Sequence, residues 1–145
     1  MLEWAAAGGA CMAMGLAINA HLRQYAGPPI VPAAVNFVVG AVVLGVACAV
    51  TGEFAGAPGV AHAPPWALLG GALGAIYVTL SLIVIPRVGL AATAMSIVFG
   101  QLAGSMVLDR FHWLGASGAI GWNKVVAAIL VLIAVVLVNR KPQAD

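Results

Sequence analysis

The chain has 145 residues, of which 63% are hydrophobic and only 7% charged, with six Lys and Arg against four Asp and Glu. Soluble domains carry about 25% charged residues, so this composition excludes a water-soluble globule and points to a chain dissolved in lipid. A net charge of +2 spread over so few groups leaves no basic footprint for nucleic acid.

Five apolar runs follow one another, at about 2–20, 30–50, 66–85, 90–108 and 121–138. At 1.5 Å per residue the first four reach about 29–32 Å, the thickness of a bilayer's hydrocarbon core. The fifth is weaker. Its uninterrupted part, 125–138, reaches only about 21 Å, so Trp122, Asn123 and Lys124 are assigned to its first turn, where the lysine can snorkel to the interface. The expected fold class is therefore all-α: a polytopic bundle of five transmembrane helices, one membrane domain over 1–145, with the bilayer as its principal partner.

The first run begins at once, and Glu3 stands where a signal peptide would carry positive charge, so the first helix is expected to be retained. Cys11 and Cys48 lie inside apolar runs and read as ordinary buried thiols. Pro28, Pro29, Pro58, Pro64, Pro65, Pro86 and Pro142 fall in connections or at run ends. Pro32 falls in the first turn of the second run, where proline is tolerated. Trp4, Trp66, Trp113 and Trp122 lie near span ends, as an interfacial belt requires. Gly70, Gly74, Gly100 and Gly104 recur at the spacing that lets membrane helices cross closely.

The fourth run is the most patterned. At about 100° per residue, Thr93, Ser96, Gly100, Gln101, Gly104 and Ser105 occupy one half of the helix, while Met95, Phe99, Leu102 and Met106 occupy the opposite sector. In a bilayer the bulky sector is expected to meet lipid and the small polar half to meet other helices. Gln101 cannot face lipid, because its amide would lose its hydrogen bonds there.

Few other polar side chains lie at depth. Asn19 sits near the end of the first run and Asn36 about two turns into the second, joined by a short loop at 21–29. Tyr77, Thr79 and Ser81 lie in the third run. The candidate pathway-lining residues are Asn19, Asn36, Tyr77, Ser96, Gln101 and Ser105. Each has a second reading as glue between helices, and Asn19 a further one as a bond to the loop backbone. The four acids, Glu3, Glu53, Asp109 and Asp145, all fall at or beyond span ends, so no mid-membrane carboxylate is available as a proton relay. His21, His62 and His112 lack ligand spacing. No metal, no cofactor and no catalytic nucleophile–base pair is expected.

Three stretches carry a family resemblance: INAHLRQYAGPPIVPAAVNFVVG at 18–40, WALLGGALGAIYVTLSLIVIPRVGLA at 66–91 and GQLAGSMVLDRFHWLG at 100–115. They resemble the YdcZ-like small integral membrane proteins, a branch of the drug/metabolite transporter superfamily. One departure is the Gly15 or Leu16 found where that family's pattern carries a glutamine. The resemblance implies a bacterial inner-membrane transporter exporting an unidentified small molecule. Since the larger members have ten helices in two inverted halves, it also implies that this chain is one half, completed as a homodimer, antiparallel or parallel, or as a heterodimer with a sister chain. The alternatives are a small dual-topology ion channel and a non-transporting assembly subunit. By helix alternation, Arg110 and Lys124 fall on the N-terminal side and Arg23, Arg87, Arg140 and Lys141 on the other, which favours N-out, C-in.

Cysteine-accessibility mapping should find five protected segments. A segment 121–138 labelled throughout from one side of the membrane would remove the fifth span.

Overall fold

The computed structural model describes residues 1–53, 59, 62–111 and 122–139. Pro58, His112, Trp113, Arg140, Lys141, Pro142 and Asp145 lie outside them. Among the described residues there are five long helices and no strand: α1 (Leu2–Ala26), α2 (Ile30–Thr51), α3 (Leu69–Val88), α4 (Leu90–Phe111) and α5 (Trp122–Asn139), with a short 3-10 turn, Pro65–Leu68, leading into α3. Each of the five is long and apolar enough to cross a membrane, so the all-α, five-span reading holds. The weak fifth run does begin its helix at Trp122.

The helix ends follow from backbone chemistry. α1 runs past Ala20, through the stretch taken as a loop, because nothing before Gly27 stops it. At Gly27 φ turns to +75° and the amide donates to the Arg23 carbonyl at 3.0 Å, a conformation that glycine adopts without strain; Pro28 follows. α2 ends the same way at Gly52 (φ 73°), whose amide donates to the Cys48 carbonyl. Between α3 and α4 a single residue, Gly89 (φ 87°), makes the turn. Its amide donates to the Ile85 carbonyl at 2.8 Å, and its own carbonyl accepts from the Thr93 amide at 3.2 Å and hydroxyl at 2.7 Å.

The chain divides into two compact units, Met1–Val84 and Ile85–Asp145. In the first, the buried side chains gather toward the end where α1 stops and α2 starts. Leu82 is fully buried, with Ala33 and Val78 beside it and Ala20 and Tyr77 packed against them. Leu16, Asn19 and Ser81 are buried as well. The opposite end keeps its side chains outward, from Leu2 and Trp4 to Val50 and Leu69, as a lipid solvent allows.

Pro86, expected at a run end, instead lies inside the last turn of α3. It has no N–H to give to the carbonyl four residues back, which is that of Leu82. The Arg23 side chain, half-buried in the last turn of α1, donates Nη1–H to that same Leu82 carbonyl. Sequence reading had assigned Arg23 only to a side of the membrane.

In the second unit α4 and α5 pack on each other. The half-buried stripe of α5 is Lys124, Ala127, Ala128, Val131, Ala134 and Val135, while Leu130, Leu132, Ile133 and Leu137 are turned outward. On α4 the half-buried residues include Met95, Phe99, Leu102 and Met106, whereas Ser96, Gly100, Gln101, Gly104 and Ser105 are exposed. Beyond Thr93, which lies on the small polar half and is buried as expected, this is the opposite of the expected facing of α4 within the single chain. The physical reason is that α5 presents a small-residue stripe, and a small stripe accepts large side chains.

Arg23→Leu should lower stability by about 1–3 kcal/mol, the cost of stranding a buried carbonyl. Adding Pro86→Ala, which restores the helical N–H, should recover most of it. Thermal unfolding of the purified protein checks this; equal loss in the single and double variants would dismiss the account.

Candidate substrate cavity

A cavity of about 300 Å³ opens between α1, α2 and α3 of the first unit. It is lined by Cys11, Met12, Gly15, Leu16, Asn19, Asn36, Tyr77 and Val78. The α1 contribution is one helical face, since Cys11, Gly15 and Asn19 are successive i, i+4 neighbours. Asn19 lies about 10 Å before the end of α1 and Asn36 about 9 Å into α2, at 1.5 Å rise per residue. With only the tight Gly27–Pro29 link between the helices, the two amides come level. The buried cluster of Ala33, Val78 and Leu82 supports that polar end from beneath.

Asn19 is only 6% exposed, and among the described residues its amide has no hydrogen-bond partner. Asn36 and Tyr77 are half-buried. The sequence candidates thus separate. Asn19, Asn36 and Tyr77 share one cavity. Ser96, Gln101 and Ser105 belong to the other unit, on the exposed half of α4. There the Ser96 hydroxyl donates to the Ala92 carbonyl and Ser105 to the Leu102 carbonyl, each at 2.8 Å, so both are occupied by their own helix. Thr79 and Ser81 likewise donate to the carbonyls of Ala75 (2.8 Å) and Tyr77 (2.7 Å). Gln101 presents an exposed amide.

Of the four candidate packing glycines, Gly74 meets a neighbour: a Cβ there would stand 3.0 Å from the Phe37 ring. At Gly70, Gly100 and Gly104 a Cβ would meet nothing within 4 Å. Cys11, read as a buried thiol, is exposed and lines the cavity; Cys48 is half-buried. Cys11, Met12 and Val78 were not picked out from sequence as site residues, and Gly15 and Leu16 only through the departure that the family resemblance implies. The signal available was the shared face of Cys11, Gly15 and Asn19, which becomes meaningful only when two other helices stand opposite it.

A second cavity, about 370 Å³, lies between α2 and α3 and is lined by Ile30, Ala33, Ala34, Phe37, Ala75, Ile76, Thr79 and Leu80. Its one hydroxyl, on Thr79, is already donated to Ala75, so despite its size it offers little to orient a solute. At the far end of α4, Asp109 and Lys124 form an ion pair at 2.6 Å, with side chains 19% and 40% exposed. It ties the end of α4 to the first turn of α5 and lies in the other unit from the first cavity.

Residues 1–137 match a family described as "Putative inner membrane exporter, YdcZ". No curated protein and no solved structure matches the chain.

Asp109→Asn should lower thermal stability by about 1 kcal/mol or less, the range of a solvent-screened pair, and leave solute binding intact. A variant that binds solute normally but loses proton coupling would instead put this acid on the transport path.

Proposed function

Since the chain belongs to the YdcZ family of inner-membrane proteins, matched over residues 1–137, we propose that it exports small molecules and binds them in the cavity of Asn19, Asn36 and Tyr77. The observation that carries this reading is Asn19: a residue only 6% exposed whose amide has no hydrogen-bond partner among the described residues and is open to the cavity it lines, within a span-length helix. An amide that no group of the chain occupies keeps its donors and acceptor for a solute or water in the cavity. The chain carries its solute across unchanged, as a transporter rather than an enzyme. Gly15 and Leu16, one of which the resemblance places where the family pattern carries a glutamine, both lie on this same wall, which bears on which solute fits.

The working unit in this reading is a homodimer. Support comes from α4, whose Gly100, Gln101, Gly104 and Ser105 are exposed in the single chain. An amide facing hydrocarbon loses several kcal/mol of hydrogen bonding, and the two glycines leave room for a second backbone. The orientation is N-out, C-in by the lysine and arginine distribution. Because the excess is only four against two, it also accommodates an antiparallel pair built around a midplane site.

Asn19→Leu and Tyr77→Phe each remove one hydrogen bond worth about 0.5–1.5 kcal/mol, so each should lower proteoliposome efflux about two- to tenfold without loss of folded yield. Efflux equal to the parent in both would remove the cavity from the path. Detergent-resolved mass should show a dimer for the parent and a monomer for Gly100→Leu and Gln101→Leu. A monomer that transports at the parent rate would end the dimer reading, and a C-terminal reporter found only in the cytoplasm would exclude the antiparallel form.

A further inference from the structure

The lining of the α1–α3 cavity contains no Asp, Glu, Lys, Arg or His. Its hydrogen-bonding groups are two carboxamides and one phenol, at Asn19, Asn36 and Tyr77, and the rest of the wall is alkyl or sulfur, from Cys11, Met12, Leu16 and Val78. The nearest fixed charge along α1 is Arg23, one turn beyond Asn19, and its guanidinium is engaged with the Leu82 carbonyl. From this we infer that the cavity takes an uncharged solute, one with a group that both donates and accepts hydrogen bonds and with an apolar body. This rests on reading the cavity as the binding site.

Four physical facts select that class. An ion entering a site with no counter-charge loses hydration worth several kcal/mol that dipoles of this number do not replace. A carboxamide offers both donors and an acceptor, so Asn19 and Asn36 match best a partner that offers both as well, such as an amide, urea or alcohol. The distance from Asn19 to Cys11 is about 12 Å along the helix, which places the apolar wall away from the amides and lets one molecule span both. The volume, about 300 Å³, stands at the lower bound for small-molecule pockets and fits a single-ring solute.

Cys11 supplies a built-in reporter, because it lies on the cavity wall and is exposed. The full chain carrying Cys48→Ala is alkylated with N-ethylmaleimide in the presence of three probes of near-equal size: benzamide, benzoate and benzylammonium. Benzamide at about ten times its Kd occupies about nine-tenths of the sites and should slow Cys11 alkylation about tenfold, while benzoate and benzylammonium at the same concentration leave the rate unchanged. Asn19→Leu should abolish the benzamide protection with the unprotected rate preserved. Tyr77→Phe, a milder change, should weaken it if Asn19→Leu fails to fold. Protection by either ion equal to that by benzamide, protection by none of the three, or protection indifferent to both substitutions overturns the inference. Failure of the export reading is separate: benzamide would protect Cys11, yet liposomes would show no benzamide flux above protein-free controls.

Discussion

The first unit depends on a single carbonyl. Pro86 removes the N–H that would close the helix on the oxygen of Leu82, and Arg23 reaches across from the last turn of α1 to supply a donor. A carbonyl freed in an apolar setting must be satisfied by something, and here the donor comes from another helix. The guanidinium suits the place, since it offers five donors. The bond joins the end of α1 to α3 beside the buried cluster of Ala33, Val78 and Leu82. A proline that breaks one helix's ladder thereby creates a contact between two helices, and the side chains around it are among the most buried in the protein.

Above that junction the helices line the cavity. Asn19 and Arg23 are neighbours one turn apart on α1, so the residue that ties α1 to α3 also sets the rotation of α1 that turns Asn19 and Gly15 inward. One helical face thus carries two polar side chains in different states. The arginine is satisfied by backbone, and the asparagine one turn deeper is left with its amide on the cavity wall. The hydroxyls follow the opposite pattern. Thr79, Ser81, Thr93, Ser96 and Ser105 all donate to carbonyls of their own or the preceding turn. In a membrane helix this hides a hydroxyl with no outside partner, while a carboxamide, with two donors and an acceptor, is harder to satisfy locally.

In the second unit the packing is large against small. α5 offers Ala127, Ala128 and Ala134, and the α4 stripe with Met95, Phe99, Leu102 and Met106 is half-buried. The helix pair thereby consumes the bulky sector of α4 and leaves its glycines and Gln101 outside. Asp109 and Lys124 close the same pair at one end. At the C-terminus of a helix a carboxylate is placed unfavourably with respect to the macrodipole, and the lysine offsets it.

The number and approximate limits of the helices were legible in the sequence, because hydrophobic length against bilayer thickness is a one-dimensional criterion; the end of α1 was not, since the apolar run stops at Ala20 while the helix continues to Ala26, where Gly27 turns the backbone. Asn19, Asn36 and Tyr77 were also legible as candidates, since a polar group in an apolar run stands out whatever surrounds it. Their company was not. That Asn19, Asn36 and Tyr77 share a cavity, that Cys11 is on its wall, and that Arg23 completes Leu82 rather than merely marking a membrane side all depend on the rotation of each helix about its axis. Hydrophobic length alone does not fix that rotation, and beyond Thr93 the small polar half of α4 is exposed within the chain because the small stripe of α5 takes the bulky sector. Rotation is decided by which side chains interlock and which backbone groups need partners, and those are properties of helices already side by side.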